Sequence, residues 1–152
     1  MSRFDVEWSD DAFTKLTTVG FDEIAKEALE EAAPILEQAT KDACQSVIAH
    51  SGDSELVNSW KKNKPKQTKD KDAYIVNVSP KGNSRNQYYA VNGKGGHTTR
   101  KYPVSNALKA IWLENGTARQ RARHFLEKAA RSCEAEVNRR IEEVFKRKVG
   151  AE

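Results

Sequence analysis

Apolar residues recur every three or four positions over two long stretches of the chain. In residues 21–49, Ile24, Ala28, Ala32, Leu36, Ala39, Ala43 and Val47 fall on one stripe, the pattern of an amphipathic helix. Asp22 and Glu23 favour its start through the helix dipole. Most of the stripe is alanine, so a partner element can approach closely. Pro34 sits inside the pattern, removes one backbone donor, and predicts a kink or a fresh segment near Ala33. Glu23, Glu27, Glu30, Glu31 and Glu37 fall on the opposite face, which is expected to be solvated. The second stretch runs from about 123 to 149. Phe125, Ala129, Cys133, Val137, Ile141, Val144 and Phe145 make one stripe over about 27 residues, near 40 Å of helix. Lys146, Arg147 and Lys148 suit its C-terminal dipole.

The pattern changes between the two. Ser9-Asp10-Asp11 reads as the cap of a short helix through Phe13 and Leu16 that ends near Gly20. Ser51-Gly52 stops the first long helix, and Leu56, Val57 and Trp60 then form a short apolar patch, either one helical turn or a strand start. Residues 61–72, KKNKPKQTKDKD, carry no apolar side chain except the proline ring, which predicts a mobile loop. Residues 74–78 (YIVNV) are the clearest strand, and residues 88–91 (YYAV) are expected to pair with them across a turn-rich loop at 79–87. A second flexible loop is expected at 92–103. Ser105 caps a short helix holding Leu108, Ile111 and Trp112. A polar break at Glu114-Asn115-Gly116-Thr117 follows, where Gly116 permits a sharp reversal and Trp112 and Phe125 are placed to pack across it. The sum is a single α+β domain over residues 1–152: two long helices packed against a small antiparallel hairpin, with mobile basic loops at 61–72 and 92–103.

Charge adds a second layer. The net charge is only +4, but residues 1–59 hold 4 Lys/Arg against 13 Asp/Glu, a balance of −9. Residues 60–103 hold 11 Lys/Arg against 2 Asp, a balance of +9, and residues 104–152 hold 11 against 7, a balance of +4. Such segregation implies an anionic partner or complementary faces in self-assembly. With 38% hydrophobic and 32% charged residues the core is lean, and a subunit interface would add apolar burial that a small monomer lacks. No run of apolar residues is long enough to span a bilayer, and the acidic start MSRFDVEWSDD has no signal-peptide core, so no membrane association is expected and synthesis is expected in the cytoplasm. Cys44 and Cys133 both sit in helical patterns and read as buried thiols, neither having a ligand neighbour at zinc spacing.

The search for chemistry returns little. His50, His97 and His124 have no adjacent carboxylate that makes a triad, and Gly93-Lys94-Gly95-Gly96 lacks the spacing of a phosphate loop. Glu114, the one acid in an apolar setting, is expected to pair with an arginine of this or a neighbouring subunit rather than to catalyse, and a small hydrolase using Glu114 and His124 is the weakest reading. No catalytic residue, cofactor or metal is expected. Lys61, Lys62, Lys64, Lys66, Lys69 and Lys71 carry enough charge for phosphate contact, so a nucleic-acid-binding module using this loop and the C-terminal helix is the alternative.

The order of elements carries a resemblance. A small-residue helix, Ser51-Gly52 followed by Leu56 and Ser59, a basic loop and hairpin, then Trp112-Leu113-Glu114-Asn115-Gly116-Thr117 and Phe125-Leu126 opening a last helix resemble the gene-product-ten type of neck or tail-component proteins in lambdoid siphophages. The resemblance covers roughly residues 21–148. It implies a virion structural protein without catalysis, forming an oligomeric ring at the head–tail junction that joins the head-closure connector to the tail terminator or tail tube. On that reading Trp112, Glu114, Gly116, Thr117 and Phe125 serve assembly, and the six loop lysines meet a neighbour or the packaged DNA.

Overall fold

The computed structural model describes residues 20–48, 54–70, 73–84, 88–91, 97–100 and 104–150. The short helix expected around Phe13 and Leu16 lies outside them, as do His50, Ser51-Gly52 and Lys71. The chain is α+β: two long helices pair along much of their length, and antiparallel hairpins attach to them.

Helix α1 (Phe21–Val47) and helix α4 (Phe125–Val149) form the main body. The buried side of α1 is Ile24, Ala25, Ala28, Ala32, Ala33, Thr40 and Cys44. Leu36, Ala39, Ala43 and Val47 of the expected stripe are only half-buried. The burial shifts because α1 meets α4 near its start and a second core near its end. At the start, Ile24 and Val149 are buried together with Phe145 packed on them, and the Phe21 and Phe145 rings lie 6.1 Å apart. At the other end Cys44, Leu56, Trp60, Ala110 and Phe125 make the larger core, closed by Val57, Val78, Leu113 and Leu126. Cys44 and Cys133 are buried thiols, as their setting predicts.

Pro34 does not divide α1, which runs through it unbroken. The missing proline N–H would have bonded the carbonyl of Glu30, four residues back. That carbonyl instead accepts from Lys62 Nζ at 3.1 Å. The helix is therefore completed from outside, by a lysine on a different element.

That element is a hairpin, and it corrects the reading of 61–72 as a mobile loop. After the single turn and a half of α2 (Ser54–Ser59), strand β1 (Trp60–Lys62) pairs with β4 (Val78–Pro80), and β2 (Lys66–Gln67) pairs with β3 (Tyr74–Ile75). Asn63 N–H to Asn77 C=O and Thr68 N–H to Ala73 C=O extend the same ladder, at 2.8 Å each. Residues 63–65 oppose only 76–77, so the strand carrying Pro65 has one extra residue, as in a bulge. The lysine-rich segment is ordered by backbone pairing and by α1 rather than by apolar burial of its own.

The strand at 74–75 thus pairs backwards with 66–67, and not forwards with 88–91 as the sequence led us to expect. Strand β6 (Tyr88–Val91) pairs instead with β7 (His97–Arg100), within the segment expected to be a loop. Strand β5 (Asn83–Ser84) pairs with β8 (Val104–Ser105) in the same register. Asn83 faces Ser105 and Val91 faces His97, with every step forward matched by one step back. The middle of the chain is therefore two successive hairpins. Helix α3 (Asn106–Asn115) follows directly and leads through a tight turn into α4.

Candidate functional site

Among the described residues, a close set of specific contacts lies where α3 turns into α4. Ser105 caps α3 as expected, its hydroxyl accepting the Leu108 N–H at 3.1 Å. Asn106 is buried and ties the helix to the second hairpin: its N–H donates to the Gly82 carbonyl at 3.0 Å and its Nδ2 to the Lys81 carbonyl at 2.8 Å. At the far end Gly116 adopts φ +76° and returns its N–H to the Trp112 carbonyl at 2.9 Å. A Cβ there would lie 2.7 Å from both Ala122 N and the Gln120 carbonyl oxygen, so glycine is required by φ and by space together.

Thr117 and Gln120 exchange backbone hydrogen bonds of 2.8 and 3.2 Å, closing a four-residue turn, and the Thr117 hydroxyl accepts the Arg119 N–H at 3.3 Å. The chain then folds back on α3. Arg123 N–H reaches the Leu113 carbonyl at 2.8 Å and His124 N–H the Glu114 carbonyl at 3.3 Å, so these two carbonyls at the end of α3 are satisfied. His124 precedes α4 in a left-handed conformation (φ 48°) and makes no side-chain cap. Glu114 supplies it: its Oε2 accepts the Leu126 N–H at 2.9 Å, placing a carboxylate on the positive end of α4. Within the subunit Glu114 therefore pairs with a helix N-terminus rather than with an arginine.

Of the residues expected to serve assembly, the turn gathers Glu114, Gly116, Thr117 and Phe125. Trp112 stands apart: it is half-buried and outside the core cluster, and the Phe125 ring meets Trp60 edge-on at 5.9 Å instead. That Trp60–Phe125 contact is not readable from the chain, because 65 residues separate the two rings. The reading also overlooked that Leu108 and Ile111 would turn outward, at 40% and 53% exposure.

The lysines divide. Lys62 is committed to α1, its backbone N–H donating to Glu37 Oε2 at 2.8 Å and its ammonium to the Glu30 carbonyl. Lys61, Lys64, Lys66 and Lys69 are exposed. The hairpin they belong to is docked on α1 by Tyr74, whose ring lies 5.2 Å beneath the Lys26 ammonium and whose hydroxyl bonds Asp22. Desolvation first, and then the Asp22 carboxylate, push the Tyr74 hydroxyl above its ordinary value.

The acidic face of α1 is likewise occupied rather than merely solvated. Arg147 bonds Glu27 Oε1 at 3.0 Å and also Glu31, and Lys148 bonds Glu27 Oε2 at 2.7 Å. The Lys148 bond holds Glu27 below the usual carboxylate range. Burial would raise Glu37, but its bonds from Lys41 and the Lys62 N–H more than offset this and leave it lowered. Burial raises the Cys133 thiol above its ordinary value. Among the described residues no three His, Cys, Asp or Glu side chains are grouped to hold a metal, and no helix is long and apolar enough to cross a membrane. His124 stands at the helix start and His97 lies in β7.

Carboxylate, glycine and hydroxyl are here spent on helix ends and a turn, which is how a structural protein fixes the angle between two helices. The chain belongs to the HK97-gp10-like family, described as "Bacteriophage HK97-gp10, putative tail-component", whose model matches residues 10–116. It is thereby a structural component of the tail region of a phage virion. The match stops at Gly116, so α4 and the carboxylate's target lie beyond it. No curated protein and no solved structure matches the chain.

Proposed function

We propose that this chain is a ring-forming subunit of the head–tail junction, joining the head-closure connector to the tail terminator or tail tube, and that it acts without catalysis or cofactor. The observation that supports this most is the spatial outcome of the charge segregation, taken with family membership. Glu23, Glu30 and Asp42 of α1 are exposed on the helical body, and Lys61, Lys64, Lys66 and Lys69 stand exposed on a hairpin attached to it. A subunit with unlike faces associates head to tail, and such contacts close into rings when the rotation permits. The rigid α3–α4 turn, held by Glu114 and Gly116, would keep that rotation the same in every copy.

Removal of the gene from its phage tests the reading. Filled heads and separate tails that fail to join are the expected products by electron microscopy. Joined, infectious particles lacking the protein would contradict it.

A further inference from the structure

The helix pair does not close along its whole length. A groove of about 640 Å³ opens between α1 and α4, lined by Ile35, Ala39, Ala43 and Cys133, with Asp42, Glu136 and Lys128 as its charged lining residues. Its depth comes from small side chains, since alanines at 39 and 43 leave room that larger residues would fill. Elsewhere on the molecule, the outer side of the first hairpin exposes Ile75 at 46%. Ile75 sits opposite Lys66 in the β2–β3 ladder, and Lys64 is exposed two residues earlier. Tyr74 points to α1, so alternation along the strand sends Ile75 the other way. The hairpin meets α1 through Asp22, Lys26 and Glu37, whereas α4 meets it through Ile24, Glu27 and Glu31. At 3.6 residues per turn these are different sides of the helix, so the hairpin's outer side and the groove are separate surfaces.

We infer that the two surfaces are partners: the outer face of the first hairpin of one copy seats in the α1–α4 groove of the next. Ile75 enters the apolar lining, and Lys64 and Lys66 reach the Asp42 and Glu136 carboxylates. The occupant is a second copy because the two surfaces complement each other, an exposed aliphatic beside two lysines against an apolar trough lined by two carboxylates and one ammonium. The contact is heterologous, so one copy uses its hairpin in one direction and its groove in the other. This rests on the ring reading and adds to it the surfaces that meet.

Two variants and their mixture test it. Ile75→Asp blocks the hairpin surface and Ala39→Trp fills the groove, and both positions are at the surface or half-buried, so circular dichroism and melting confirm folding. By light scattering, wild type is expected to grow in mass with concentration, and each variant alone to stay a single subunit. An equimolar mixture is expected to give a dimer, because each variant retains the surface the other lacks. Asp42→Lys with Glu136→Lys is expected to weaken association roughly tenfold, and Lys64→Glu with Lys66→Glu in the same chain to recover it. Growth of either single variant like wild type, or a mixture that remains monomeric while wild type assembles, would overturn the pairing and leave the ring reading standing. A wild type that remains one subunit throughout would overturn both. If the lysine variants lose DNA binding while assembling normally, the hairpin serves nucleic acid and the pairing is wrong.

Discussion

Glu114 and Gly116 show how a two-residue spacing can set the geometry of a molecule. The carboxylate reaches forward to cap α4 while the glycine reverses the chain between them. Gly116→Ala should cost about 2–4 kcal/mol, because any Cβ meets backbone atoms that cannot retreat and φ is left-handed. Chemical denaturation reads this directly, and an unchanged midpoint would show that the turn tolerates a side chain. Glu114→Ala should cost about 1 kcal/mol by loss of the cap, and Glu114→Gln less, since an amide oxygen still accepts from Leu126. Equal losses in the two variants would mean that charge on the helix dipole, rather than the hydrogen bond, is what counts. Gly116 as a reversal was legible in the sequence, because glycine beside asparagine after an apolar run has few other uses. The target of Glu114 was not, since a backbone N–H twelve residues away leaves no mark in residue type.

At the level of elements, the long helices followed from their periodicity, and the hairpins did not follow from theirs. Helical contacts repeat within a few residues, so the stripe of α4 identifies its buried face locally. Strand pairing is set by partners at a distance, and the lysine-rich segment of β1 and β2 carries no alternation to reveal that it pairs with 74–80. Pro34 and Lys62 are the clearest case. Each looks unfavourable alone, a proline in a helix and a lysine in a polar run, and they are explained only together, by the Glu30 carbonyl between them. Lys62→Met should destabilise the protein by about 0.5–1 kcal/mol. In a Pro34→Ala background, where the helix regains its own donor, the loss should shrink. A double-mutant cycle measures this coupling, and simple additivity would mean the carbonyl does not need the lysine.

The ion pairs between elements make acid an informative variable. Glu27 and Glu37 titrate below the ordinary glutamate value in the folded protein. Their contribution is therefore complete above that value and is lost as pH falls through the lowered folded values. Melting temperature at low salt should be flat near neutrality and decline below about pH 4.5. Glu27→Gln with Glu37→Gln should shallow the decline, and an unchanged slope would assign acid sensitivity to other carboxylates.

On the scale of the whole molecule, the charge balances of −9 and +9 were visible in the sequence, and they implied unlike faces. Part of that opposition is spent inside the subunit, on Lys62 against Glu37 and on α1 against the end of α4. What remains outward is the lysine face of the hairpin and the groove that Asp42, Glu136 and Lys128 line. Family membership identifies a phage tail component, and these surfaces give a physical means by which such a component would join its neighbours. The most direct test is the mass of the purified chain in solution, measured by light scattering over a range of concentration at low and high salt. The account predicts growth from a single subunit to a discrete larger species, displaced to higher concentration by salt. A single-subunit mass at every concentration and salt would contradict it.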